Sequence, residues 1–313
     1  MGLTIGVDIG GTKVAAGVVN EDGRILARVT RATPSEDPEK TEDVIAACIR
    51  ELAQDHAIEA VGLGAPGFVD RARSIVLFAP NLGWRNAPVR AVIEQRTGLP
   101  AVLENDANAA AWGETRFGAG NGQPFTVTLT IGTGLGGGIV LNGELLRGAF
   151  GVAAEVGHLN IVPDGRLCGC GLRGCWEQYA SGRALVREAQ ERATQSPEAA
   201  AQLLTLGDGR PESITGPQVS VAAKEGDSVA VESFRTVGAW LGRGMADLAA
   251  ILDPRVFILG GGVSEAGELL AAPAREAFVA QLTAHDNRPI AELRVAKLGG
   301  DAGLVGVADL ARR

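Results

Sequence analysis

Three of the chain's four cysteines and one of its three histidines fall inside a single stretch, Glu155 to Glu177. Cys168 and Cys170 stand one residue apart, Cys175 follows, and Gly169, Gly171 and Gly174 lie between or beside them. Glycines there let the backbone turn tightly, so that several sulfurs can converge on one point. With His158 as the fourth ligand the pattern expects a zinc knuckle. The knuckle has no open coordination position, so the metal is structural rather than catalytic. Redox thiols or an incidental cluster are the plainer alternatives, and metal binding is favoured over both in a reducing compartment. Glu155, His158 and Glu177 bracket the knuckle with groups suited to sugar hydroxyls, which both donate and accept. One imidazole nitrogen can bind metal while the other meets substrate.

A second chemistry is written in the glycine turns. Asp8-Ile9-Gly10-Gly11-Thr12-Lys13 ends a strand in a carboxylate, then offers backbone N–H groups, a hydroxyl and an ammonium. Such a turn can hold phosphate oxygens, and Asp8 can hold Mg²⁺. An ordinary hairpin turn is the bland reading. Thr130 to Gly138 repeats the theme, with Thr133 and Gly134 at its centre, and Gly260-Gly261-Gly262 makes a third break that can border a nucleoside. Three G-x-G-x-x-G matches, beginning at Gly62, Gly132 and Gly169, lack the context of a dinucleotide site and are rejected. Glu104-Asn105-Asp106 is the best general-base candidate, at a strand end that runs into a helix; a helix cap is the alternative for Asp106.

These residues need elements to position them. Residues 3–30 read as a three-strand meander, followed by a helix to about Gln54 capped by Asp37 or Ser35. A strand follows at 58–64, a helix at 88–97, a strand at 101–104 and a helix at 107–116. Residues 125–148 repeat the opening plan, with the glycines 132–138 as the turn, which points to an internal duplication. Beyond the knuckle, helices are expected over 182–206, 215–226, 229–252, 265–282 and 303–312, with strands near 255–260 and 293–299. Glycines 238, 242 and 244 foretell close helix packing. Cys48 reads as core, His56 as an exposed helix-end residue, His285 as surface, and the four tryptophans as core or rim. The expected division is a small α/β domain at 1–117, with the helix at about 300–313 packed back on it, and a large α/β domain at 118–299 containing the knuckle.

Composition narrows the class. The chain has 313 residues, 46% apolar and 21% charged, with a net charge of −8. It has no basic run for nucleic acid or an anionic membrane, and no apolar run long enough to span a bilayer. Its first residues lack the basic segment of a signal peptide and the myristoylation pattern, so a cytoplasmic location is expected.

The carriers D-I-G-G-T-K at 8–13, E-N-D-A-N at 104–108, T-I-G-T-G-L-G-G-G-I at 130–139, E-V-G-H at 155–158 and C-G-C-G-L-R-G-C-W-E at 168–177 make the chain resemble the ROK family of sugar kinases and repressors, most closely the bacterial ATP-dependent glucokinases of actinobacterial type. The resemblance covers essentially the whole chain. It implies an α/β protein of the actin-like, hexokinase-like ATPase fold (ribonuclease H-like), with two duplicated domains around a cleft that closes on the sugar. Position by position it implies Asp106 as catalytic base on the sugar 6-hydroxyl. Gly67, Asn105, Asp106, Glu155, His158 and Glu177 would form the sugar site. Asp8, Gly10, Gly11, Thr12, Lys13, Thr133, Gly134, Gly261 and Gly262 would hold Mg-ATP, and His158, Cys168, Cys170 and Cys175 the structural zinc. The implied reaction is glucose to glucose 6-phosphate, a step of glycolysis and carbohydrate metabolism, by a homo-oligomer (dimer or tetramer). Family repressors carry an N-terminal helix-turn-helix, for which the start of the phosphate motif at Asp8 leaves no room. Alternatives left open are mannose, fructose or N-acetylmannosamine as substrate, polyphosphate as donor, and a non-catalytic sugar sensor; an actin-type filament or chaperone ATPase gives no reason for a knuckle.

Overall fold

The computed structural model describes residues 2–313. The chain falls into two compact units. One comprises residues 2–128, 138–154 and 297–313, and the other 129–137 and 155–296. This departs from a single cut after residue 117: residues 118–128 and 138–154 belong to the first unit.

The first unit begins with β1 (Leu3–Ile9), β2 (Lys13–Val19) and β3 (Ile25–Ala32), joined by short turns into an antiparallel meander. Helix α1 (Pro38–Gln54) starts at Asp37, whose side chain accepts from the Lys40 N–H at 3.1 Å, with proline pre-set in the first turn. After β4 (Ile58–Ala65) come three short strands, β5 (Phe68–Val69), β6 (Val76–Ala79) and β7 (Trp84–Ala87), which pair into a small antiparallel sheet. That sheet has no counterpart in the sequence reading. Its strands are two to four residues long, too short to express an alternating pattern. Helix α2 (Val89–Thr97), β8 (Ala101–Asn105) and α3 (Asp106–Phe117) follow, and the main sheet has the order β3-β2-β1-β4-β8, with β1, β4 and β8 parallel.

The sheet is covered on both faces, which explains why β1 and β4 are near-continuous apolar runs. Ile45 and Ile49 of α1 share one core with Ile5, Val7 and Leu63. The C-terminal helix, Ala302–Leu310, covers the other face. A Cβ on Gly6 would lie 2.0 Å from the Leu304 carbonyl oxygen, and one on Gly62 2.0 Å from that of Val307. These two glycines are register partners on β1 and β4, so the pair lets the helix backbone rest directly on the strands.

A second five-stranded sheet contains β9 (Thr126–Ile131), β10 (Leu135–Leu141), β11 (Glu144–Leu145), β12 (Val256–Gly260) and β13 (Glu292–Val295), in the order β11-β10-β9-β12-β13. Position for position this repeats the plan of the first: a three-strand meander, then two further strands beside its first member. Gly136 to Gly138 lie within β10 rather than in the turn, which narrows to residues 132–134. The third strand shrinks to two residues.

In the second unit, α4 (Gly182–Gln195) and α5 (Ala201–Thr205) fill the helical region expected over 182–206, with a break that begins at Ser196 and Pro197. Helix α6 (Gly216–Lys224) carries a Thr215–Gln218 capping box. Helix α7 (Ser228–Leu252) packs along α8 (Glu268–Gln281), and a Cβ on Gly242 would meet the Ala274 carbonyl oxygen at 2.3 Å. The C-terminal helix in the first unit is α9 (Ala302–Leu310). Cys48, Trp84, Trp112 and Trp176 are buried and Trp240 is half-buried. His56 is half-buried rather than exposed, with a buried Nδ1 that has no hydrogen-bond partner. No helix among the described residues is long and apolar enough to cross a membrane.

Candidate functional site

In the first unit the candidate base sits where β8 becomes α3. Asn105, not Asp106, is the cap: its Oδ1 accepts from the Asn108 N–H at 3.0 Å, and its backbone is extended. Asp106 is therefore the first residue of the helix. Its Oδ1 accepts from the Ala107 N–H at 2.8 Å and from Asn105 Nδ2 at 3.2 Å. Asn105 Nδ2 also donates to the Gly67 carbonyl at 3.0 Å. Gly67 has φ +89, and a Cβ there would meet the Phe78 carbonyl oxygen at 2.1 Å. Gly67, Asn105 and Asp106 are thus brought together as one polar constellation.

The first glycine turn lies in the same unit. The Gly10 N–H donates to the Lys13 carbonyl at 2.9 Å, and Thr33 Oγ1 donates to the Gly10 carbonyl at 2.7 Å. Gly11, Thr12 and Lys13 are exposed. Asp8 ends near the start of α9: a Cβ on Gly303 would lie 3.5 Å from Asp8 Oδ1 and 3.9 Å from the Asp106 carbonyl oxygen. Asp8 and the Asp106 turn therefore flank one residue. Burial pushes the Asp8 carboxyl above the usual carboxylate range; Lys13 and Arg28 oppose the shift and Asp301 adds to it.

In the second unit the turn at 132–134 closes through the Gly132 N–H to the Gly134 carbonyl at 3.0 Å. The start of α4 is stitched to it: the Gly182 N–H donates to the Gly132 carbonyl at 2.8 Å. A cavity of about 760 Å³ opens beside this turn, lined by Thr133, Arg183, Val186, Pro217, Lys224, Gly262 and Val263 among others. Of the expected nucleotide residues, Thr133 and Gly262 line it. Gly261 packs instead on Ile131, at φ +82 with a Cβ position 2.5 Å from the Ile131 carbonyl oxygen. Arg183, Val186 and Lys224 escaped the sequence reading because helix positions that face a cavity look like any amphipathic face.

The knuckle folds as a nest of turns. The Cys168 N–H donates to the Leu172 carbonyl at 2.8 Å, and the Gly171 N–H to the Cys168 carbonyl at 3.0 Å. His158, Cys168, Cys170 and Cys175 each offer a ligand atom, all within 4.8 Å of one another. Cys170 Sγ and Cys175 Sγ are 3.6 Å apart, and Cys168 Sγ and His158 Nδ1 3.7 Å. A tetrahedral ion with metal–sulfur bonds of ~2.3 Å has ligand–ligand edges of about 3.8 Å, so the set fits zinc in both donor chemistry and spacing. Burial pushes the Cys168 thiol up to about 12 and raises Cys175, whereas the Leu172 backbone N–H lowers Cys170. A divalent cation bound there would stabilise the thiolate forms that burial disfavours.

Glu177 reaches further than the knuckle. Its Oε1 accepts from Cys168 Sγ at 3.0 Å, and its Oε2 would lie 2.6 Å from a Cβ on Gly134. One carboxylate therefore joins the knuckle to the second glycine turn. The Glu155 carboxyl is raised by desolvation, with His158 opposing and Glu177 adding, so both other bracketing groups act on Glu155. Between Cys175 and Glu177, Trp176 is fully buried, and its Nε1 donates to the Trp240 carbonyl on α7 at 2.8 Å.

Comparison with known proteins gives a consistent picture. The chain is 56% identical over 312 residues to a glucokinase of Streptomyces coelicolor, covering 100% of this chain and 98% of that one. It is 41% identical over 310 residues to a glucokinase of Thermotoga maritima, covering 98% and 96%. Among solved structures it matches a ROK family glucokinase from Streptomyces griseus in complex with glucose and AMPPNP, with a TM-score of 0.91, 58% identity and 99% of each chain covered. The fold is the actin-like, hexokinase-like ATPase fold, which agrees with the repeated strand order of the two sheets. With the ROK family model matching residues 4–313 as well, the chain belongs to the ROK family.

Proposed function

We propose that this protein is an ATP-dependent glucokinase that transfers the γ-phosphoryl group of ATP to the 6-hydroxyl of glucose. The observation that carries this reading is the full-length likeness, at 58% identity, to the Streptomyces griseus enzyme in complex with glucose and AMPPNP. Asp106 is the base. It accepts the proton of the 6-hydroxyl while that oxygen bonds to the γ-phosphorus, the bond from phosphorus to the β,γ-bridging oxygen breaks, and ADP leaves. Asn105 and the Ala107 N–H hold one Asp106 oxygen, which leaves the carboxylate oriented before substrate arrives.

Gly67, Asn105, Glu155, His158 and Glu177 would bind the sugar hydroxyls. Gly11 to Lys13, together with Thr133 and Gly134, would offer N–H and hydroxyl groups to the phosphates on a turn that the Gly10 N–H closes, and Gly262 would border the nucleoside, with Gly261 seating that turn on Ile131. The cavity beside Thr133 supports a nucleoside triphosphate over polyphosphate as donor, because Val186, Pro217 and Val263 offer apolar walls that a bare phosphate chain has no use for. Asp8 would hold Mg²⁺, which when bound neutralises the charge that develops on the phosphoryl oxygens. His158 Nδ1 and the three cysteines would hold a structural zinc, leaving His158 Nε2 for substrate.

A coupled assay of ADP release with purified protein tests the reading, run with glucose, mannose, fructose and N-acetylmannosamine. Glucose-dependent release is expected, with glucose the best acceptor. Asp106→Ala is expected to lower kcat by about 10²–10⁴-fold while glucose binding persists. Full turnover in that variant would remove Asp106 from the role of base.

A further inference from the structure

Glu104 precedes the Asn105–Asp106 pair and is 2% exposed. A buried carboxylate is costly unless charge and hydrogen bonds offset it, and here both oxygens are engaged. Oε2 accepts from Arg147 Nε at 2.8 Å and lies 3.8 Å from Arg73 Nε. Oε1 accepts from Asn108 Nδ2 at 3.2 Å and from the Asn105 backbone N–H at 3.1 Å.

The partners come from separate segments. Arg73 lies in the loop between β5 and β6, where its carbonyl accepts from the Leu103 N–H on β8 at 3.1 Å. Arg147 follows β11, in a segment pinned to the same loop by Arg71 Nη1 donating to the Gly148 carbonyl at 3.2 Å. The two groups on Oε1 shape the turn that carries the base. Asn105 Nδ2 holds Asp106 Oδ1, and the Asn108 N–H is capped by Asn105 Oδ1. An apolar side chain would stabilise such a site at least as well as a buried ion pair. The cluster also leaves Arg147 Nη2 and Arg73 Nε without hydrogen-bond partners. A network with that cost specifies geometry rather than adding stability.

We propose that Glu104 is a positioning residue for the base at Asp106: its carboxylate, fixed by Arg147 and Arg73, sets the Asn105–Asn108 turn and with it the direction of the Asp106 carboxylate. The proposal rests on the glucokinase reading. Glu104 acts through Asn105 and Asn108 and touches no substrate.

Kinetics of the full chain with Glu104→Gln and Glu104→Asp, alongside circular dichroism and direct glucose binding, test it. Glu104→Gln keeps the shape and one acceptor oxygen but loses the charge that holds the guanidiniums. Since a misplacement of about 1 Å costs on the order of 10²-fold, kcat is expected to fall by about 10–10²-fold. The folded spectrum should stay near wild type, glucose affinity should fall by less than kcat because Asn105 shares the turn, and Glu104→Asp should recover part of the rate. A wild-type kcat in Glu104→Gln overturns the proposal, as does a loss of turnover that only tracks lost folded protein or lost glucose binding. Should Glu104→Gln fail to fold, Glu104→Asp decides: a reduced kcat in folded protein supports the proposal and an unchanged kcat overturns it. If the wild-type chain releases no ADP in response to glucose, the glucokinase reading itself fails, and the proposal with it. That result is distinct from one in which only the variants behave unexpectedly.

Discussion

Asp106 acquires its direction from its neighbours, and Asp8 carries a cost for its place. Burial holds the Asp8 carboxyl above its usual range even with Lys13 and Arg28 nearby. A carboxyl whose folded-state affinity for protons exceeds its unfolded one favours the folded state when protonated. That benefit is lost as pH rises through the folded value, so at neutral pH the ionised group opposes folding. Asp8→Asn is therefore expected to raise Tm at pH 7 in buffer without added Mg²⁺ while abolishing turnover. The gain should shrink as pH falls through the raised Asp8 value. Thermal melts at pH 7 and pH 4 check the sign, and a variant less stable than wild type at pH 7 would refute it. Such exchange of stability for activity is what a functional carboxylate implies. At this scale the sequence was most informative where the partners are local, as in Asp8 to Lys13, Asn105 to Asn108 and the knuckle cysteines. Glu104 stands out in the sequence only as part of a triplet, because its partner Arg147 is 43 residues away and no local pattern links the two.

Trp176 anchors the knuckle to α7, and the proposed metal ligands would hold it a second time. A Cβ on Gly244 of α7 would lie 2.3 Å from the Trp176 ring, so the indole sits in a notch that only glycine leaves open. In an open helix Gly→Ala stabilises by roughly 1 kcal/mol; here Gly244→Ala is expected to lower Tm and to raise the glucose KM, because the displaced indole carries Glu177 with it. Tryptophan fluorescence and KM measured together check this, and a raised Tm with an unchanged KM would contradict it. Cys170→Ala tests the other anchor. It should lose zinc, read by elemental analysis, together with sugar turnover, and a zinc-free variant with wild-type KM would show that Trp176 alone suffices. The glycines at 238, 242 and 244 were legible as close packing, but their targets were not. Gly238 and Gly242 meet α8 whereas Gly244 meets the knuckle, a distinction that depends on which face of α7 each residue occupies. The glycine run at 132–138 misled for a related reason: Gly136 to Gly138 pair within β10, where strand neighbours override the turn preference of glycine.

Across the whole molecule, the duplication was readable because each sheet opens with the same strand–turn–strand–turn–strand plan, and both sheets share one strand order. The compact units were not readable as consecutive blocks. The chain leaves the first unit and returns to it: the return of the C-terminal helix, which covers one face of the sheet, is among the sequence expectations, whereas the return at 138–154 has no sequence signal. Glu114 shows how the C-terminal return is fixed. It is buried on α3, and its oxygens accept from the Lys297 and Leu298 N–H groups at 3.1 and 2.6 Å. Nothing in the sequence near residue 114 announces a partner so far along the chain. The central claim is that this fold phosphorylates glucose with Asp106 as base. Its most direct test is ADP formation by the purified chain with Mg-ATP, with and without glucose, for wild type and Asp106→Ala. The account predicts glucose-dependent ADP matched mole for mole by glucose 6-phosphate in the wild type, and its loss in a variant that still binds glucose. ADP release indifferent to glucose, or full turnover in Asp106→Ala, would contradict it.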